Sequence, residues 1–222
     1  GGGAKIASGT PNFVNCKILD NTTQQAGGGV YCMSQDSYPE IVGCLIAGNR
    51  VTGPLPFYSP YGEGGGIHVE KSFPKITNCT ITSNSAPYGG GVFFNPLPWE
   101  EGNALTEVNL RLDNCAITGN TATVLGSAVA SYPYYNYGDW ALPDLFNCTY
   151  LASDTFAWNQ NGWVLQPQPT TNGAFAVVNP GYANHAAGDH SLLFGSPLVN
   201  RGNNAALAFA NLGFLYNLDI VG

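Results

Sequence analysis

Apolar residues recur along this chain in short alternating pairs rather than in helical stripes. After each of three glycine triplets, at 27, 64 and 89, an apolar residue is followed two positions on by another: Val30 and Cys32, Ile67 and Val69, Val92 and Phe94, with Ala4 and Ile6 after the triplet at 1. Alternation of period two predicts strands with both residues pointing to one side. A second set, Cys16, Cys44, Cys79, Cys115 and Cys148, is followed two residues later by Ile18, Ile46, Ile81, Ile117 and Tyr150. Phe13, Ile41, Ile76, Leu112 and Leu145 stand three residues before those cysteines, and odd spacing between two inward residues requires a bend. The pattern predicts three short strands per unit.

The units repeat. "PNFVNCKILDN", "PEIVGCLIAGN", "PKITNCTITSN", "NLRLDNCAITGN" and "PDLFNCTYLAS" carry the same marks in the same order. The triplets at 1, 27, 64 and 89 and a degenerate Gly126-Ser127-Ala128 give coils of 26, 37, 25 and 37 residues. A period in this range marks a stacked array. The longer coils hold the Pro- and Gly-rich stretches "TGPLPFYSPYGE" and "NPLPWEEGNALTE", which read as loops at corners. Asn21, Asn49, Asn84 and Asn120 follow the cysteines by five residues, with Ser153 breaking the series. Asparagine tolerates left-handed backbone, and a stacked column of amides satisfies polar groups that a buried turn leaves unpaired. Glycine triplets suit a corner without room for a Cβ.

These marks resemble the right-handed parallel β-helix repeats of bacterial surface proteins, including chlamydial polymorphic outer-membrane proteins and anchored β-helix proteins, over about residues 1 to 165. The resemblance continues in the closing marks Gly188, Asp189, Leu192, Gly195, Ser196, Pro197, Asn200, Gly202 and Asn203. It implies an all-β right-handed parallel β-helix, a β-solenoid of about six coils with loop insertions and a C-terminal closing segment. Residues 1–178 are assigned to coils and 179–222 to a closing segment with an apolar tail, within one domain.

Composition narrows the partners. Only 9% of residues are charged, against about 25% in an ordinary soluble domain, and such a surface suits an extracellular or cell-surface β-protein. The net charge of -7 includes no basic stripe, which disfavours nucleic acid. The apolar run from Ala205 to Leu215 is too short to span a bilayer. A chain that opens on a glycine triplet reads as processed or excised.

Candidate chemistry is sparse. Five of the six cysteines share one inward column. Stacking at about 4.8 Å permits thiols or disulfides, and buried thiols acting as small hydrophobes are preferred. No CxxC spacing marks zinc, no phosphate loop follows the triplets, and no cofactor is called for. Outward residues Asn12, Glu40, Lys75, Arg111 and Asp144 form a self-neutralising column in which Glu40 faces Lys75 and Arg111 faces Asp144. His68 alternates outward, while His185 and His190 read as solvated or capping. No catalytic or metal residue is assigned. Aromatic insertions are the better candidates: Tyr58, Tyr61, Trp99, Tyr134, Tyr135, Tyr137 and Trp140 suit sugar faces and protein interfaces alike.

Sequons place candidate glycosylation at Asn78 and Asn147, which should face outward with Thr80 and Thr149; the sequon at Asn21 belongs to the turn column. Asn95 is placed in a loop. Phe209, Leu212, Phe214, Leu215 and Tyr216 in the tail are candidates for head-to-tail self-association. The functional expectation is a non-enzymatic extracellular structural or adhesive solenoid, with glycans or a cell-surface ligand as partners. Its competitor is a carbohydrate-binding or polysaccharide-degrading β-helix.

Overall fold

The computed structural model describes residues 1–53, 62–95, 110–131 and 143–160, and shorter stretches at 163–165, 171–172, 175–177, 179, 182–184 and 189–192. The aromatic candidates Tyr58, Tyr61, Trp99, Tyr134, Tyr135, Tyr137 and Trp140 lie outside the described residues, as do the tail candidates Phe209, Leu212, Phe214, Leu215 and Tyr216.

Each of the first four coils contributes four strands, not three. The first holds β1 (Ala4–Ile6), β2 (Asn12–Val14), β3 (Lys17–Leu19) and β4 (Thr22–Thr23); the second β5 (Val30–Met33), β6 (Glu40–Val42), β7 (Leu45–Ala47) and β8 (Arg50–Val51). The third holds β9 (Ile67–Glu70), β10 (Lys75–Thr77), β11 (Thr80–Thr82) and β12 (Ser85–Tyr88); the fourth β13 (Val92–Asn95), β14 (Arg111–Asp113), β15 (Ala116–Thr118) and β16 (Thr121–Leu125). A fifth coil has β17 (Val129–Ser131), β18 (Asp144–Phe146) and β19 (Thr149–Leu151), and a sixth has β20 (Phe156–Gln160), β21 (Trp163–Leu165), β22 (Thr171–Asn172) and β23 (Phe175–Val177).

Equivalent strands stack in register into four sheets, parallel throughout except where β21 folds back antiparallel on β20. The protein is an all-β parallel β-helix. Beyond it, β24 (Tyr182–Asn184) and β25 (Asp189–Leu192) pair antiparallel.

Three of the four corners are built from one left-handed residue each. Between the second and third sheets it is Asn15, Gly43, Asn78, Asn114 or Asn147, always the residue before the cysteine, with φ between 49° and 62°. This is the bend that the odd spacing requires. Between the third and fourth sheets it is Asp20, Gly48, Ser83 or Gly119, so the left-handed residue precedes each ladder asparagine and is not the asparagine itself. Between the fourth sheet and the first it is the leading glycine of each triplet, such as Gly64 at φ 67°. The second and third glycines answer a different demand, close approach between coils. A Cβ on Gly65 would lie 2.4 Å from the Gly90 carbonyl oxygen.

At the remaining corner, from the first sheet to the second, the second and third coils share a left-handed residue directly after the strand, Ser34 and Lys71, while the connections differ in length. These run from 71–74 in the third coil to 96–110 and 132–143 in the next two. Lengthening is tolerated there because the flanking strands keep their register and extra loop length adds closure entropy only slowly.

Val30, Ile46, Ile67, Ile81, Val92 and Ile117 are buried in one core with the thiols of the inward column. The first coil is less covered, and Phe13, Cys16 and Ile18 are only partly buried there.

Candidate functional site

The ladder residues occupy one buried corner. Asn21 Nδ2 donates to Asn49 Oδ1 at 2.9 Å, Asn49 Nδ2 to Asn84 Oδ1 at 3.0 Å, and Asn84 Nδ2 to Asn120 Oδ1 at 3.0 Å. Each Oδ1 also accepts the backbone N–H of the asparagine one coil below. The second proton of each later amide goes to Ile18 O, Ile46 O or Ile81 O. One amide thus satisfies turn groups on both neighbouring coils. Asn84→Ala removes four such bonds and should cost about 1 to 3 kcal/mol, whereas Asn21→Ala, which only donates its side-chain amide to Asn49, should cost less. Urea unfolding of both variants checks this, and equal losses would refute the accounting.

The cysteines Cys16, Cys44, Cys79, Cys115 and Cys148 are free thiols, buried except for the partly buried Cys16. Cys44, Cys79 and Cys148 each point a sulfur at a carbonyl of the preceding coil, Phe13, Ile41 and Leu112 respectively, at 3.3 Å. Contact with the Cys79 thiol and burial push the Cys44 thiol far up, and burial does the same for Cys79 and Cys115. Thiolate chemistry is suppressed at Cys44, Cys79 and Cys115.

On the outer face of the second sheet, Lys75 Nζ pairs with Glu40 Oε1 at 3.3 Å. Arg111 and Asp144 are in register, yet Arg111 forks onto Asp113 of its own strand, with Nη2 to Oδ1 at 2.6 Å. Residues two apart share a strand face, so Asp113 lies within reach without crossing to the next coil. The guanidinium also rests 3.6 Å from the Phe146 ring centroid.

His68 is not outward and solvated; it is fully buried. It does sit on the outer side of the first sheet, in register between Tyr31 and Phe93, with ring centroids at 4.8 and 5.2 Å. Asn95 is likewise buried at the end of β13 and not in a loop. Around His68 gather Glu63, Glu70 and Tyr31, whose hydroxyl donates to Glu70 Oε2. His68 Nδ1 stands 3.6 Å from Glu63 Oε2, and neither ring nitrogen, nor Glu63 Oε2, nor Asn95 Oδ1 completes a hydrogen bond.

Burial decides the charge state of this cluster. Desolvation, aided by Glu70, lifts the Glu63 carboxyl to about 8, and desolvation holds the His68 imidazole down to about 3 against the pull of the Glu63 backbone. A charged pair at 3.6 Å is geometrically allowed, but ionising both groups costs more than the contact returns. Both are neutral at pH 7.

The folded chain therefore keeps a proton on Glu63 that the unfolded chain releases above about 4.5. Stability contributed by that proton is lost as pH rises from about 4.5 to about 8. Glu63→Gln should gain on the wild-type chain across this window by on the order of 1 to 4 kcal/mol. Unfolding at a series of pH values measures the difference, and one that stays constant would show that Glu63 is not protonated.

Neither member of the cluster was legible as such. The available signal was the run Val92-Phe93-Phe94, whose unbroken apolarity breaks the alternation and marks a strand covered on both faces.

Asn78 and Asn147 sit at the left-handed corner between the second and third sheets and are partly buried. Thr149 of the Asn147 sequon alternates outward between the inward Cys148 and Tyr150 but is buried, while Thr80 is partly exposed. Asn21 is engaged in the amide ladder. Among the described residues no group of three or more His, Cys, Asp or Glu side chains is arranged to hold a metal ion, and no helix is long and apolar enough to cross a membrane.

A family model described as the right-handed beta helix region matches residues 1–122. No curated protein and no solved structure matches the chain.

Proposed function

The chain belongs to the right-handed β-helix family, and from that premise we propose that it is a non-enzymatic, extracellular structural and adhesive solenoid that joins head to tail at a cell surface. The observation that carries this reading is where the aromatic segments enter the fold. Residues 96–109 and 132–142 are spliced into the same corner of successive coils, between β13 and β14 and between β17 and β18, and 54–61 enters between β8 and β9. Their anchor strands are fixed by in-register pairing to the coils beside them. A rigid wall carrying Trp99, Tyr134, Tyr135, Tyr137 and Trp140 in its insertions suits attachment to a partner surface.

Support for a non-enzymatic role comes from how four of the described carboxylates are used. Glu40 is committed to Lys75, Asp113 to Arg111 and Glu70 to Tyr31, and Glu63 is protonated. Hydrolysis of a glycosidic bond calls for two carboxyl groups flanking one substrate position.

The test exchanges residues 132–142 for the sequence of the short connection 71–74 in the full chain. Retained β circular dichroism with lost adhesion to cell-surface material is the expected result. Release of reducing ends from a polysaccharide panel by the unaltered chain would overturn the non-enzymatic reading. For assembly, deletion of residues 205–222 should leave the coils folded and abolish filaments in electron micrographs; filaments that persist would exclude the tail as connector.

A further inference from the structure

The fifth coil has no fourth side. In the fourth coil residues 121–128 lead from Asn120 through β16 to Val129, whereas β19 ends at Leu151 and β20 begins at Phe156. The shortcut is fastened at both ends. Leu151 N–H donates to Asp154 Oδ2 at 2.6 Å, Thr155 N–H donates to Ser127 Oγ at 2.8 Å, and Thr155 Oγ1 accepts Ser127 N–H at 2.8 Å. β16 is therefore the outermost strand of the fourth sheet, and no described strand pairs with its later edge.

That edge is unfinished in its hydrogen bonds and in its burial. Arg50 N–H donates to Asn21 O, Ser85 N–H to Asn49 O and Thr121 N–H to Asn84 O, and no backbone N–H among the described residues donates to Asn120 O. Because Thr121 bonds toward the third coil, alternation turns the N–H and C=O of Ala122 to the unpaired side. Ala86, in register with Ala122, is 3% exposed, but Ala122 is only half-buried and Val124 is 48% exposed. The strand reads Thr-Ala-Thr-Val-Leu, without the charge or proline that commonly guards an edge. An extra residue between Ala122 and Leu125 confines regular pairing to its first half.

We propose that residues 203–207 of this chain take the skipped place, as a strand parallel to β16. The occupant has to be a single strand, because the other three sheets continue past the gap through the fifth and sixth coils and keep a second solenoid from the edge. Its inward residue has to be small, as Val51, Ala86 and Ala122 are at that register. Asn84-Ser85-Ala86-Pro87-Tyr88, which forms β12, and Asn203-Asn204-Ala205-Ala206-Leu207 share one order: asparagine, polar residue, alanine, short residue, large residue. Ser153 already holds the ladder position of the fifth coil, so the gap takes the strand half of this mark, with Asn204 N–H on Asn120 O and Ala205 over Ala122. Past β25, residues 193–222 carry only Arg201 and Asp219 as side-chain charges, so docking 203–207 on this edge desolvates no ion. Residues 193–202 reach up to about 35 Å when extended, several times the coil spacing of about 4.8 Å. Phe209, Leu212, Phe214, Leu215 and Tyr216 lie beyond the docked strand, so the inference goes beyond the adhesive and filament reading and takes nothing from it.

The experiment is NMR-detected hydrogen exchange on the full chain, on a chain ending at residue 202 and on full-length Ala206→Pro, which removes the N–H that would meet Ala122 O. The Ala122 amide should exchange at least tenfold faster in both altered chains, while the amides of Ile81 and Ile117 keep their protection. Equal exchange at Ala122 in all three would overturn the proposal. Cross-linking tests the same contact without truncation. In the full chain with Cys16→Ser, which removes the partly buried thiol, Thr121→Cys with Asn204→Cys should close a disulfide within one molecule under mild oxidation. Leu19→Cys with Asn204→Cys, at an exposed position on the third sheet, should not. Closure only between molecules would overturn the in-chain occupant in favour of a second copy's tail. No closure, or equal closure of both pairs, would overturn the docked strand.

Discussion

Ile81→Asp yields a chain with no cooperative unfolding transition. Ile81 is fully buried and stands in register between Ile46 and Ile117 in the middle of the third sheet. Removing its side chain forfeits roughly 1.5 to 3 kcal/mol of apolar burial, and an unpaired carboxylate at that point adds several more whether it stays ionised or takes up a proton. The whole stability of a domain is about 5 to 15 kcal/mol. The site also has no relief, because each coil is held only by its neighbours and the third coil is the joint between the first two and the rest. Circular dichroism and urea titration measure the outcome; a soluble Ile81→Asp variant with a native transition would refute the inward facing of this strand.

Gly65→Ala should cost about 3 kcal/mol or more, near the upper end of overpacking losses. Its new Cβ would stand 2.4 Å from Gly90 O and 2.7 Å from the Ser85 backbone nitrogen, and every one of these neighbours is main chain. A side chain can rotate away, but these atoms are tied by coil-to-coil hydrogen bonds such as Gly65 N to Gly89 O at 2.9 Å and Ser85 N to Asn49 O at 2.9 Å. Gly9 makes the comparison. It has φ of 81° and open space around its Cβ position, so Gly9→Ala should cost only the backbone strain, about 1 to 2 kcal/mol. Denaturant midpoints for the two variants decide between the explanations. A loss at Gly65 no greater than at Gly9 would mean that the second glycine of the triplet answers to something other than close approach.

Much of the solenoid was legible because stacking places the same demand on the same position of every coil. The isoleucines from Ile18 to Ile117 repeat because each packs on its own image one coil away, and the registers align them. The fourth strand left no such trace. β4 and β8 are two residues long, and their partners Thr22 with Arg50 and Thr23 with Val51 share no chemistry. Backbone pairing alone defines them.

The left-handed residue at the next corner was placed one position late for a related reason. Asp20, Gly48, Ser83 and Gly119 vary in type while the asparagine beside them does not, so residue identity marks the amide and not the bend. The asparagine repeats for its hydrogen bonds, not for its backbone angle. The burial of His68 depends on what covers the outside of a sheet, which alternation along a single strand does not encode. The column pairs Arg111 with Asp144, but a long side chain chooses among all acceptors within its reach, and Arg111 forks onto Asp113 on its own strand.

The amide ladder is vectorial. From Asn21 through Asn49 and Asn84 to Asn120, every amide-to-amide bond donates toward the later coil, while the second proton of each later amide goes back to a main-chain carbonyl of the coil before. The side-chain dipoles therefore add along the axis, and each bond polarises the next. The stack has an electrical direction as well as a chain direction. Past Asn120 the column meets the fifth coil of the same chain, where Ser153 ends the series, so another molecule can extend it only at the early end, by bringing an amide proton to Asn21 Oδ1. A head-to-head junction would set like dipole ends against each other, so the only continuation this column accepts without loss is one of the same sense.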